Sequence, residues 1–232
     1  MNIHIFYSHY NITKTDNKGR PVWFDYEKCF VNLLNTIKDR QNVTLHVVMD
    51  GIIEDNWISK YSSEYIAHEI TTNHSMESIT TGVYSEIRKL VCSDVDLIYV
   101  LENDYLHAAD WVDEVLSLFQ TYEMLNYVSL YDHNDKYFLP MYDNLSSKII
   151  TTENHHWRTA PSTCGSYITT KRIFDEDYSV HTGENIPIGD HHKWLWLNDN
   201  RDRFILTPIP GLSTHCMDGL LSPTINWEAI NN

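Results

Sequence analysis

One pattern constrains this chain more than any other. Over its first 130 residues, short apolar runs alternate with stretches whose apolar residues recur at helical spacing. Ile3 to Tyr7, Val43 to Met49, Asp96 to Leu101 and Tyr127 to Tyr131 read as strands. Between them, Tyr26, Phe30, Leu33, Leu34 and Ile37 predict one helix, and Ile79, Val83, Ile87, Leu90 and Val91 predict a second. Val112, Val115, Leu116, Phe119 and Tyr122 predict a third. Ser75 and Asp110 stand where the second and third helices need N-caps. Strands that are apolar nearly throughout are buried on both faces, so the expected fold class is α/β, with a mostly parallel central sheet flanked by helices.

The second half is patterned differently. Short strands are expected at Ile149 to Thr152, Ser166 to Thr170 and Arg203 to Thr207, with few clear helices and most of the histidines. This half is read as a small β element and loops added to the same single domain, residues 1 to 232. The chain carries 17 basic and 32 acidic side chains, a net charge of −15. A phosphate backbone or an anionic membrane surface requires a basic face, so no nucleic-acid partner is expected. Cys29, Cys92, Cys164 and Cys216 are far apart without CxxC spacing, which predicts free thiols. There is no basic, apolar leader at the N-terminus and no run long enough to span a bilayer, so a cytoplasmic protein without a membrane anchor is expected.

In open α/β sheets, ligands bind beyond the carboxyl ends of the strands. Three strand ends carry polar groups: Tyr7-Ser8-His9, Asp50-Gly51 and Glu102-Asn103-Asp104. The third places two carboxylates around one residue after an apolar strand, a pattern suited to a divalent cation that also takes substrate phosphate oxygens. An isolated acidic triplet is more often a solvated turn. Here the surrounding order matters. The strands Ile3 to Ser8 and Val43 to Asp50, the helical stretch Ser75 to Cys92, and Asp96 through Asp104 continuing to Trp111 and Val115 together resemble nucleotide-sugar-dependent glycosyltransferases of the GT-A fold. The likeness covers residues 3 to 130 and is looser beyond. The triplet departs from the family's DxD motif by opening with Glu.

The resemblance implies a nucleotide-sugar-binding half over 1 to 130, and an acceptor-binding half with a C-terminal loop over 131 to 232. It implies a divalent metal cofactor, Mn²⁺ or Mg²⁺, held by Asp104 and by His215 of the C-terminal Ser-Thr-His-Cys segment. The donor, a UDP-sugar by the same resemblance, would be met by Tyr7, Ser8, Asp50, Glu102, Asn103 and Arg158. Asp190, in Gly189-Asp190-His191-His192-Lys193-Trp194, takes the place of the base that activates a glycan or other hydroxyl acceptor in an inverting transfer, with Glu184 as the alternative carboxylate; a retaining transfer, which needs no such base, stays open. Each has a plainer reading: Asp50 as a turn residue, Asp190 as a helix cap, His215 as one of 13 histidines. Trp157 and Trp194 are candidate acceptor-stacking rings, although most tryptophans are core. No Walker loop or GxGxxG occurs, so phosphates would be held by carboxylate and metal. Two rivals remain. One is a nucleotidyltransferase, for which Lys14, Lys18 and Arg20 supply a basic loop after the first strand; the other is a non-catalytic sugar- or nucleotide-binding module.

Overall fold

A computed structural model describes residues 1–10, 18–73, 75–91, 95–183 and 189–231. Lys14, Cys92 and Glu184 lie outside the described residues. In chain order the elements are β1 (Ile3–Tyr10), α1 (Tyr26–Ile37), β2 (Val43–Asp50), β3 (Ile66–Ile70), α2 (Met76–Leu90), β4 (Leu97–Glu102), β5 (Tyr105–His107), α3 (Trp111–Thr121) and β6 (Tyr127–Val128). They continue with β7 (Ile149–Thr151), β8 (His156–Ala160), β9 (Tyr167–Thr170), α4 (Lys171–His181), α5 (Asp190–Arg201), β10 (Ile205–Ile209), β11 (Ser213–His215) and α6 (Trp227–Ile230).

Nine strands form one sheet in the order β3-β2-β1-β4-β9-β6-β10-β8-β7. β1 lies at the heart of its parallel part, with Ile5 opposite Leu45 on one side and Tyr99 on the other. The sheet is parallel from β3 to β4 and mixed beyond, because β9 enters antiparallel between β4 and β6, and β8 and β7 close the far edge antiparallel. Alternate strand residues feed opposite layers. Ile5, Tyr7, Val47, Tyr99 and Leu101 pack with α1 and α3 through Phe30, Leu33, Trp111 and Val115. Phe6, Val48, Ile98 and Val100 pack with α2, α4 and α5 through Val83, Ile87, Phe174 and Trp194. This is the helix-covered sheet that the apolar runs predict.

The departures have local causes. β6 stops at Val128 because the chain turns out of the sheet, and Tyr131 instead bridges to Ser213. α4 is cryptic in sequence. It exposes Lys171, Arg172, Asp175 and Glu176 in ion pairs and buries one acidic residue, Asp177, against Arg201 and Arg203. Ser75 accepts from the Ser78 amide and caps α2 as expected, whereas Asp110 precedes α3 without a side-chain capping bond. β5 and β11 form a separate two-stranded ribbon that pairs Tyr105 with His215 and Leu106 with Thr214.

Candidate active site

The site forms where β1 and β4 end side by side. Ser8 stands opposite Glu102 in the register, and β4 then runs through Asn103 and Asp104 into β5. The β5–β11 ribbon delivers His215 to Asp104 from 111 residues away, with Nε2 3.0 Å from Oδ2. The His215 ring stacks on Tyr105, its partner across the ribbon, at 5.1 Å. Arg20 donates to the same carboxylate oxygen at 2.8 Å, and the Lys18 ammonium lies 3.6 Å from it. Asp104 Oδ1 is buried with no hydrogen-bond partner among the described residues.

Burial alone would raise the Asp104 pKa. The hydrogen bond and charge of His215, with Lys18 and Arg20, outweigh it and hold the carboxyl well below its ordinary range. Glu102 goes the other way. Burial, then the Asp104 charge, push it up to about 7 against the pull of His215 and Lys18. Its backbone amide donates to Ser166 Oγ at 3.0 Å, and Gly165 packs so closely that a Cβ there would sit 2.9 Å from the Glu102 carboxyl.

Asn103 points back into the fold. It donates to His9 Nδ1 at 2.9 Å, and His9 Nε2 reaches Asn56 Oδ1 at 3.2 Å, so the chain Asn103–His9–Asn56 latches the acidic motif to β1. Since Asn103 donates to Nδ1, His9 carries its proton on Nε2; burial lowers its pKa to about 4 and keeps it neutral. Tyr7 donates to the Asn103 carbonyl at 3.3 Å from the core beneath. Asp50 is buried, and its carboxylate accepts from the Thr72 amide at 3.0 Å and the Thr72 hydroxyl at 2.6 Å, tying the end of β2 to the loop after β3.

Asp190 opens α5 and is half exposed, 3.3 Å from the Lys193 ammonium. It lines a cavity of about 340 Å³ together with Cys164, whose neighbour Gly165 abuts Glu102. The base candidate and the acidic motif are thus brought to one region from residues 88 apart in sequence (190 − 102).

Three expectations are corrected. Trp157 and Trp194 are not exposed for stacking: both are buried in the two hydrophobic cores, where flat apolar rings fill space between sheet and helices. Arg158 is not turned toward the acidic motif; its guanidinium pairs with buried Asp132 at 2.8 Å and lies over Tyr137. Among the described residues, Lys18 and Arg20 are the cations at Asp104. Asn103 and Tyr7 serve the motif from beneath rather than facing outward. Sequence reasoning missed His9 and Asn56 as motif supports, and missed the cavity segment around His133 to Tyr142. A polar residue following an apolar strand was the available signal for His9.

The donor set suits a hard divalent cation. Asp104 Oδ1 is a buried acceptor without a partner among the described residues, and 3.0 Å between Oδ2 and His215 Nε2 is the spacing of neighbouring corners of an octahedron with bonds of about 2.1 Å. Among the described residues no three His, Cys, Asp or Glu side chains converge as a closed cage. An open pair of ligands leaves corners for substrate oxygens, which a closed cage does not.

This architecture has solved counterparts. A CMP:2-keto-3-deoxy-manno-octonic acid synthetase, solved in complex with CTP, matches with a TM-score of 0.53 at 12% identity, over 91% of this chain and 92% of its own. S. aureus TarS, residues 1–349, matches with a TM-score of 0.52 at 10% identity, over 89% of this chain and 58% of its own. The chain shares their fold. At these identities the likeness is one of fold alone, a Rossmann-like α/β architecture with one large sheet flanked by helices. No protein-family model matches the chain, and no curated protein matches it.

Proposed function

We propose that the chain is a metal-dependent glycosyltransferase that moves a sugar from a nucleoside diphosphate, a UDP-sugar being the first donor to test, to an acceptor hydroxyl with inversion. The observation that carries this reading is the meeting of Asp104 and His215 at the end of β4, with a carboxylate, Asp190, in a cavity that Cys164 also lines, next to Gly165 and the Glu102 it abuts. Asp104 and His215 would hold the ion, Mn²⁺ or Mg²⁺. When bound, the ion supplies positive charge to the leaving diphosphate.

The chain's own groups do the rest. Lys18 and Arg20, gathered on Asp104 Oδ2, add cationic charge where a diphosphate would lie. Glu102, recessed and held near neutrality, accepts from donor hydroxyls when ionised. Asp190 takes the proton from the acceptor hydroxyl as that oxygen attacks the anomeric carbon, a role worth about 10²–10⁴-fold. Its neighbour Lys193, 3.3 Å away, orients the carboxylate for that task. Ser8 and Asp50 remain proposed donor contacts: Ser8 through its place opposite Glu102, Asp50 through its place at the end of β2. The net charge of −15 fits a site whose positive field comes from a metal ion and two local cations.

One observation favours a second reading. Lys18 and Arg20 come from the loop after β1, where a nucleotidyltransferase needs cations for a nucleoside triphosphate, and one fold counterpart was solved with CTP. The two readings differ in products. Incubation with UDP-sugars and Mn²⁺ should release UDP, and incubation with nucleoside triphosphates and sugar phosphates should release no pyrophosphate. Pyrophosphate release without UDP release supports the second reading and ends the first.

A further inference from the structure

The cavity beside Asp190 carries information about what enters it. It is built by the segment between β6 and β7, the turn at 162–164 and the start of α5. At about 340 Å³ it lies at the small end of ligand sites, which suits one ring-sized group. Its charges are matched in pairs. The Lys136 ammonium is buried, donates to both oxygens of Asp135 at 3.3 Å and to the Tyr142 hydroxyl at 3.0 Å, and lies 4.4 Å from the centre of the Tyr142 ring. Lys193 is 3.3 Å from Asp190. Two imidazoles also line the cavity. His133 contacts Thr163 Oγ1 at 3.0 Å and His191 contacts Ser162 Oγ at 3.2 Å; burial first, and the Lys136 charge second, keep both neutral.

The lining therefore presents two carboxylates, Asp135 and Asp190, and one ammonium, Lys136, with the Lys193 ammonium paired to Asp190, so the two pairs leave no net positive charge. Among the described residues every cation at the cavity already has a carboxylate within 3.3 Å. An entering phosphate or carboxylate would meet two negative groups and no unmatched positive one. A neutral polyol meets hydrogen-bond acceptors at Asp135 and Asp190, hydroxyls at Ser162 and Thr163, and apolar surface at Leu139 and Met141 for its C–H face.

We infer that this cavity binds an uncharged saccharide as the acceptor and discriminates against phosphorylated and carboxylated sugars. The inference rests on the glycosyltransferase reading of the site and names its acceptor class. It also opposes the nucleotidyltransferase reading where that requires a sugar phosphate in this cavity.

Saturation-transfer NMR on the full chain tests it without turnover. The probes are the methyl glycosides of glucose, galactose and N-acetylglucosamine, and the 1-phosphates of the same sugars. At least one neutral glycoside should bind, about tenfold more tightly than its phosphate. Tyr142→Ala should abolish that signal, and Asp135→Asn, which leaves Lys136 unmatched, should shift the ranking toward the phosphate. The inference is overturned if phosphates bind as tightly as glycosides, if no glycoside of the panel binds, or if both variants, folded by circular dichroism, leave the ranking unchanged. UDP-sugar binding with Mn²⁺ is followed separately on the same samples. Its absence overturns the glycosyltransferase reading, while the acceptor ranking is still read out.

Discussion

Glu102 and Asp104 are separated by one residue, yet their surroundings push them in opposite directions. Asp104 sits among His215, Arg20 and Lys18 and is held ionised, whereas Glu102 faces burial and the Asp104 charge and rises to about 7. Such a split assigns different work to two neighbouring carboxylates. Gly165 is part of how Glu102 is placed. A methyl group there would meet the far end of the Glu102 side chain, which can swing away at little cost. Gly165→Ala is therefore expected to melt within a few degrees of the native protein while losing activity; equal activity in that variant would separate Glu102 from catalysis. Asp190→Asn should leave donor binding nearly unchanged and lower kcat by about two to four orders of magnitude, with turnover and titration measured on the same preparation. Near-normal turnover would point to a retaining mechanism or to another base.

The elements that place these residues were legible to different degrees. β1, β2 and β4 were readable because strands buried on both faces are apolar throughout, and their polar ends marked the site. β5 and β11 were not, because three-residue strands carry too little periodicity and are held by a partner more than 100 residues away. For the same reason the approach of His215 to Asp104 could be expected by resemblance only, and its route through a ribbon could not. Trp157 and Trp194 illustrate the converse limit: sequence supplies a large ring but not the face it turns. The ribbon depends on what lies behind it. Trp227 of α6 packs with Cys29, Leu106 and Cys216, and its indole donates to the Ser222 carbonyl at 2.8 Å. Trp227→Ala should cost about 3–5 kcal/mol in denaturant unfolding. It should also weaken metal-dependent donor binding, because it loosens the segment that holds His215. Donor affinity unchanged in a destabilised but folded variant would show that the ribbon stands without α6.

Across the whole molecule, burial of neutral imidazoles couples folding to pH. Burial lowers His107 to about 3 and His9 to about 4; His46, between His4 and His68, falls to about 4 through burial and the charges of those two rings. Unfolded histidines titrate near 6.5. Between about pH 6.5 and 4 the unfolded chain takes up protons that these folded residues refuse, so stability falls as pH falls. Glu102 opposes this over part of the range, since the folded state protonates it first, but one carboxyl faces three imidazoles displaced as far or further. The melting temperature should therefore drop between pH 7 and pH 5, and His107→Asn should flatten that slope; a melting temperature that rises on acidification would contradict this. None of the described helices is long and apolar enough to cross a membrane, and the sheet's two layers of helices use their apolar faces internally.

The proposed chemistry depends on Asp104 and His215 serving a metal-bound nucleotide sugar. Isothermal titration of the native chain with a panel of UDP-sugars, once with Mn²⁺ and once with EDTA, addresses this without altering a buried residue. Binding of at least one UDP-sugar that is tenfold or more tighter with Mn²⁺, a difference of about 1.4 kcal/mol, is the predicted result. Equal affinity in Mn²⁺ and EDTA, or no UDP-sugar binding where CTP binds, would contradict it.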